Sequence, residues 1–574
     1  MNEKAWITDS DPSERFPFYT RANVGEIAPR PMTPLSWKLV WEKGVVPGMH
    51  DGHFRWGSFT PDELQGNNTS FSCFGGYLYI NWSMARVQGE RSPGMSAQVM
   101  DDAYFGQIEV PKYEAIDIDK SPEAEERIQR TIDSLMAADE LPPELAEDRL
   151  KAINLRKERP NLLTSTDLEL VEHALSLSSI IREFFEPYMV FGTAPSLALA
   201  LLPGLCDGLD PSVPGRLISG VGNVDSVPPS FAIWELSRLV RSSDFLSSEF
   251  DTGVDDLLVR LELSEEGKSF LTSLESVREE HGARGPGEWD MASPSWETKP
   301  DLLLSLVERL RFADDELSPE NRHANVIEDT QKAISEVRKH LGENSESLAT
   351  LDLVLRLAEL YVVARERTKL TEMMVVHEIR VAIDELGKRM VKDQIIVAPE
   401  DICMLIDTEL KDFVSNPSAF IEIISSRKKR FNELEERQEP FILFQETPNP
   451  DLWPMRLKSA EPISVGEKID GVPGAPGIAI GRARVIADPS DPRGLEPGEI
   501  LVANITDPAW TPLFLPSAGV IVEIGAPLSH AMILSRELGV PCVTGIVGAS
   551  LRIKDGMLLE INGNTGSVTV LESE

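Results

Sequence analysis

The sequence predicts a multidomain protein, with a large, mainly α-helical domain over residues 12–440 and a small C-terminal α/β domain over residues 469–574. Three observations lead there. A chain of 574 residues exceeds what one ordinary core holds. Apolar residues recur at three- and four-residue steps through most of the stretch from Ser121 to Arg430, the period of amphipathic helices. A proline-rich stretch then separates this region from a series of short apolar runs with the texture of strands.

Taken in order, residues 1–115 are rich in Pro, Gly and aromatics and predict loops and short strands. Trp6, Trp37, Trp41, Trp56 and Trp82 all lie there, and Phe74 to Asn81 alternates like a strand leaving the turn Gly75-Gly76. Asp167 to Phe185 carries Leu168, Leu170, Val171, Ala174, Leu175, Leu177, Ile180 and Ile181 at helical spacing, with Thr166-Asp167 as the cap. Residues 300–312, 323–341 and 347–390 repeat the theme, and 282–294 reads as a loop. Residues 441–468 hold Pro448, Pro450, Pro454 and Pro462, which predict a semi-extended tether between domains. Beyond it, residues 477–486, 500–505, 519–523, 542–546, 558–562 and 567–570 read as strands of a mixed sheet, with helices between some of them.

Composition bounds the function. The hydrophobic share of 41% and charged share of 26% are those of a globular protein. A net charge of −38 argues against nucleic acid as a partner, and any phosphorylated ligand must be held by local features. Cys73, Cys206, Cys403 and Cys542 are scattered without CxxC spacing, so neither a zinc site nor a disulfide framework is expected. The first residues lack an apolar core of the signal-peptide kind, and Met189 to Leu202 is interrupted by Gly192, Thr193, Pro195 and Ser196. The expectation is a cytoplasmic protein.

Residues 521–541 carry the chemistry. An apolar strand ends at Glu523, the loop Gly525-Ala526-Pro527 follows, and a helix starts at Ser529 and stops at Gly539 and Pro541. His530 falls in its first turn, where free N–H groups and the positive end of the helix dipole favour an anion. The same field disfavours the imidazolium and leaves a neutral nitrogen able to attack phosphorus. On spacing alone, an ordinary helix residue beside a loop is the better reading of His530.

The string Gly525-Ala526-Pro527-Leu528-Ser529-His530-Ala531, followed by Ser535-Arg536-Glu537-Leu538-Gly539-Val540-Pro541, resembles the phosphohistidine signature of the phosphoenolpyruvate-utilising enzyme mobile (swivelling) domain. Thr506 to Phe514 resembles the segment before that domain's active-site strand, and Asp470 to Val485 its opening hairpin. The resemblance implies a C-terminal α/β swivelling domain with His530 as the phosphohistidine, and Ser529, Gly525 and Thr506 supporting the phosphate. Thr20 to Ile27 and Pro31 to Trp37 are similar to the start of the substrate domain of rifampicin phosphotransferase; Arg365-Glu366-Arg367-Thr368-Lys369, Glu385 to Gly387 and Pro399 to Ile402 fit that family more loosely. The helical region is thereby expected to be an acceptor-binding domain.

Neither an ATP-grasp region nor a GxxxxGK[ST] loop is recognised in the sequence. The layout resembles split aryl phosphate synthases, phenylphosphate synthase and 4-methylphenyl phosphate synthase. That resemblance implies a heteromeric, ATP-dependent dikinase-type phosphotransferase. ATP and Mg²⁺ would sit on a separate ATP-grasp subunit, this chain would bind no cofactor tightly, and the acceptor would be a small aromatic hydroxyl such as phenol or 4-cresol. The alternatives are a component of an antibiotic phosphotransferase of the rifamycin kind and a non-catalytic binding or regulatory homologue.

In the acceptor region, His50-Asp51-Gly52-His53 reads either as a base or positioning pair or as a polar loop with two exposed histidines. No third ligand stands near them, so no metal is expected. Arg365 and Glu366 read as a solvated helix face, or, by the family pattern, as pocket residues meeting the incoming phosphoryl group.

Overall fold

The computed structural model describes residues 6–105, 108–221, 224–445, 449–487, 494–507, 510–524 and 529–573. It is mainly helical, with a C-terminal sheet domain, as the sequence predicts. The chain forms two compact units. One comprises Met1–Pro195, Gly287–Ser293 and Ala364–Leu457; the other Ser196–Pro286, Pro294–Val363 and Lys458–Glu574. The partition read from the sequence differs, since residues 196–286 and 294–363 group with the C-terminal sheet and not with the rest of 12–440. Helical periodicity marks an apolar face without saying what covers it.

In the first unit, strands β1 (Phe18–Thr20), β2 (Phe71–Phe74), β3 (Tyr77–Asn81) and β4 (Ile442–Phe444) form a sheet in the order β2-β3-β1-β4. The hairpin β2-β3 turns through Gly75 and Gly76, both at positive φ (57° and 80°), as the alternation predicted. β4 corrects the expected tether, because residues 442–444 pair antiparallel with β1. Trp453 is buried beside Tyr77 at 6.0 Å, and Gln438 N donates to Pro454 O at 2.8 Å. Prolines exclude helix but accept an edge strand and turns, so this part of the segment folds back onto its own unit. The last of the chain's crossings between the units follows Leu457; the mostly exposed stretch 458–462 leads to Ile463, which is buried again and donates N–H to Arg552 O at 3.2 Å.

The N-terminal region is also more helical than its composition suggests. Residues 34–56 form continuous helix, with a π-helical stretch at Trp37–Val45 leading into α1 (Val46–Trp56). The glycines that look like loop residues stand four apart on one face. A methyl on Gly44, Gly48 or Gly52 would come within 2.7, 2.7 and 2.6 Å of the Cβ atoms of Ile181, Phe185 and Met189. They permit close packing on a neighbouring helix. Further helices of this unit are α2 (Pro122–Ala137), Pro143–Lys157 and α3 (Ser178–Thr193), onto which α1 packs. The stretch Asp167–Cys206 is long and apolar enough to cross a membrane by length and composition, and half of its apolar window is buried.

The second unit is built on an eight-stranded mixed sheet, ordered β5-β12-β11-β7-β8-β9-β10-β6. The strands are β5 (Lys468–Asp470), β6 (Val472–Ala475), β7 (Ile478–Val485), β8 (Ile500–Ala503), β9 (Gly519–Val522), β10 (Cys542–Thr544), β11 (Leu558–Asn562) and β12 (Ser567–Glu572). β7, β8, β9 and β10 run parallel in the middle, and the outer pairs are antiparallel. Successive side chains face opposite sides. Leu501, Ala503, Val520 and Val522 join one core, and Ile500, Val502 and Ile521 join the other. The first core includes α4 (Pro228–Arg241) and α5 (Asp301–Leu310), which contribute Ile233, Trp234, Leu303, Leu304 and Val307. Arg322 of α6 (Pro319–Leu341) donates to the carbonyls of Leu515 (2.6 Å) and Leu538 (3.3 Å). Leu538 closes α7 (His530–Leu538), the helix that begins with the candidate nucleophile.

Candidate functional site

α7 has the ends its sequence specifies. Ser529 is the N-cap in extended geometry, and its hydroxyl accepts Met532 N–H at 3.4 Å. Gly539 ends the helix in the left-handed region (φ 63°). The inward face, Ala531, Leu534 and Leu538, enters the core shared with α4 and α5. His530 follows the cap and stays partly exposed.

Two threonines bracket its imidazole. Thr506 Oγ lies 3.3 Å from Nδ1, and Thr511 Oγ lies 3.4 Å from Nε2. Phe514 stands edge-on to the ring at 5.9 Å. Both threonines are buried, so their hydroxyls are fixed partners and not surface rotors. A neutral imidazole has one N–H donor and one acceptor nitrogen, and a hydroxyl serves either. The arrangement orients the ring, with one hydroxyl at each nitrogen.

The structure brings Thr506 to His530. Ser529 is buried and engaged in capping, so it acts on the helix end and through it on His530. Gly525 lies outside the described residues. Thr511 was missed as a site residue. Its signals are a second hydroxyl five positions after Thr506 and its place in the family-like segment Thr506 to Phe514. Arg536 donates Nε–H to Gly474 O at 2.9 Å, tying α7 to β6.

The remaining candidates belong to the first unit. His50 and His53 are on α1, not in a loop, and His53 is fully buried with Nδ1 3.0 Å from Ser58 Oγ. The expectation of two exposed loop histidines is overturned by the glycine-lined packing of α1. Burial pushes the His53 imidazolium down to about 3, with a smaller contribution from His50. Burial likewise lowers His50 to about 4, against the opposing pull of Asp51. Arg365 and Glu366 form an ion pair with each other on the long helix Ser345–Lys392, with Glu366 buried.

The same helix holds buried polar groups that sequence reading passed over. Glu372 is fully buried, and neither carboxyl oxygen has a hydrogen-bond partner among the described residues. Burial, aided by the charge of Asp148, raises its carboxyl well above the usual range and favours the neutral acid. Glu378 is paired with Arg159 at 2.6 Å. Among the described residues no cluster of three His, Cys, Asp or Glu side chains is arranged to hold a metal ion.

Comparison with known proteins adds two domain matches. Residues 495–566 match the PEP-utilising enzyme mobile domain, and residues 189–366 match the rifampicin phosphotransferase fourth domain. The second span corresponds closely to the helical part of the sheet-bearing unit. The chain is 26% identical over 353 residues to a Bacillus subtilis protein named uncharacterized phosphotransferase YvkC, covering 59% of this chain and 41% of that one. It is 27% identical over 375 residues to a rifampicin phosphotransferase of Streptomyces sviceus, covering 64% and 41%. It is 25% identical over 435 residues to the prodigiosin synthesizing transferase PigC of Serratia marcescens, covering 72% and 47%. The chain thus spans less than half the length of these relatives. It carries the mobile domain of the PEP-utilising enzymes, with His530 inside it, joined to a region similar to the rifampicin phosphotransferases.

Proposed function

We propose that this chain is the phosphohistidine-carrying component of an ATP-dependent phosphotransferase, working in the cytoplasm. The observation that carries the reading is the placement of His530 in the first turn of α7, inside the mobile-domain match, with a hydroxyl at each ring nitrogen. In the first half-reaction an imidazole nitrogen attacks a phosphorus of ATP. The P–O bond breaks, and the nucleotide oxygen leaves with its electron pair. In the second, an acceptor hydroxyl oxygen attacks the same phosphorus, the P–N bond breaks, and the electron pair returns to the imidazole. The acceptor proton passes to that nitrogen or to water. Positioning and electrostatics carry most of such a transfer.

The reading assigns ATP and Mg²⁺ to a separate ATP-grasp subunit and takes a small aromatic hydroxyl, phenol or 4-cresol, as acceptor. A phenol with a pKa of about 10 gives up its proton more readily than an alcohol, so a modest base suffices. A second reading, transfer to a rifamycin-like antibiotic, is favoured by the names of several relatives and by the fourth-domain match.

The test incubates the chain with labelled ATP and the ATP-binding subunit. Acid-labile, base-stable label is expected on the protein and absent from His530→Ala, whose fold is checked by circular dichroism. Label persisting in the variant refutes the assignment. A panel of phenol, 4-cresol, simple alcohols and rifamycins, with products weighed by mass spectrometry, separates the two acceptor classes.

A further inference from the structure

The first unit contains a cleft of about 380 Å³ whose lining does not include His530. One wall is a face of α2. Arg127, Arg130, Thr131 and Ser134 follow at steps of three, one and three, which places all of them on one side of a helix. The opposite wall is apolar, made by Phe54 near the end of α1 and by Val190 and Phe191 near the end of α3. The walls are pinned together: Thr131 Oγ donates to Trp56 O at 3.1 Å, and Arg127 Nε donates to Gly57 O at 3.2 Å. Gly57, at φ 95°, admits this approach, since a methyl there would meet Arg127 Cβ at 2.6 Å.

The charges on the two sides of the cleft are not balanced. Arg55, also at its edge, is occupied by Glu144 at 2.6 Å and lies 3.7 Å from Glu186. Arg127 and Arg130 pair with no carboxylate among the described residues. Two guanidinium groups one turn apart repel each other, and they stand without a described carboxylate partner in a chain that carries 94 acidic residues. A guanidinium with its Nε anchored still presents its terminal N–H groups, in the fork that matches phosphate or carboxylate oxygens. Rings on the facing wall suit a flat apolar body. The volume lies at the lower end of the range of about 300–1,000 Å³ typical of small-molecule sites.

We propose that this cleft binds a small aromatic anion, a monoaryl phosphate or an arene carboxylate. The anionic group lies between Arg127 and Arg130, and the ring lies against Phe54. The inference concerns binding by this unit alone and does not depend on His530 carrying phosphate.

The test is calorimetry on the full chain with four probes: phenyl phosphate, benzoate, inorganic phosphate and phenol. Saturable binding of phenyl phosphate or benzoate is expected, with inorganic phosphate and phenol each at least about tenfold weaker, because each lacks half of the recognised chemistry. The tighter of the first two identifies the anion class. Arg127→Gln and Arg130→Gln are each expected to weaken binding about tenfold, and the double variant to abolish it, with thermal melting unchanged in Arg130→Gln, which keeps the Arg127–Gly57 bond. His530→Ala should bind as the parent does. No saturable binding of either aromatic anion, binding unchanged in the double variant, binding lost in His530→Ala, or equal binding of inorganic phosphate would each overturn the proposal.

Discussion

Thr506 presents its hydroxyl to Nδ1 of His530 at 3.3 Å from a buried position. With Thr511 at the other nitrogen, the ring is held at both ends of its polar axis. A nucleophilic imidazole must offer one defined nitrogen, and its partner at the other nitrogen decides which.

Thr506→Val and Thr511→Val are therefore expected to slow phosphorylation of His530 by about tenfold or more, the worth of one lost hydrogen bond in a positioned site. Single-turnover labelling measures it, and Thr→Ser at either position should restore most of the rate. Equal rates in the valine variants would show that the ring needs no such support.

His53 gives the fold a pH dependence. Its folded value of about 3 lies below the ordinary 6.5, so the folded state keeps it neutral while the unfolded chain takes up a proton below 6.5. Stability from this residue is intact above pH 6.5 and is lost progressively as pH falls from 6.5 toward 3. Thermal melting of the parent against His53→Gln, between pH 7.5 and 5, should show the steeper fall in the parent. Parallel curves would rule the effect out.

Glu372 acts in the opposite direction. Its folded pKa is raised, so the fold holds the proton more tightly than the unfolded chain, which releases it above about 4.5. Its contribution is complete below that value and declines as pH rises toward the folded pKa. Glu372→Gln, of the same shape and never charged, should melt higher than the parent at pH 8 and close to it at pH 4.5. A lower melting point at pH 8 would mean that the acid has a partner essential to the fold.

The stretch 458–462 follows the last chain crossing into the sheet-bearing unit, and removing Ser459, Ala460 and Glu461 tests whether the two half-reactions need movement about it. Melting is expected to be unchanged, since no buried side chain is lost. Phosphorylation of His530 and transfer to acceptor are expected to uncouple, one persisting as the other fails. Full overall turnover in the deletion would show that no large swing about this connection is required.

The sequence by itself determined the elements whose cause is local. Ser529, Gly539 and Pro541 set the limits of α7; the alternating apolar runs marked β7 to β12; Gly75-Gly76 announced a hairpin. His530 at a helix start followed from capping chemistry. Only the tertiary structure decided what depends on partners distant in the chain. Gly44, Gly48 and Gly52 look like loop residues until the opposing helix makes them a contact seam. Prolines from 450 to 454 look like a tether until Trp453 finds Tyr77. The amphipathic helices 228–241 and 301–310 show an apolar face, but nothing local says that the β8–β9 sheet would cover it. Thr511 becomes a neighbour of His530, and Glu372 a buried acid, for the same reason. Periodicity fixes which side of an element is apolar, whereas the identity of the surface that buries it is settled by long-range packing.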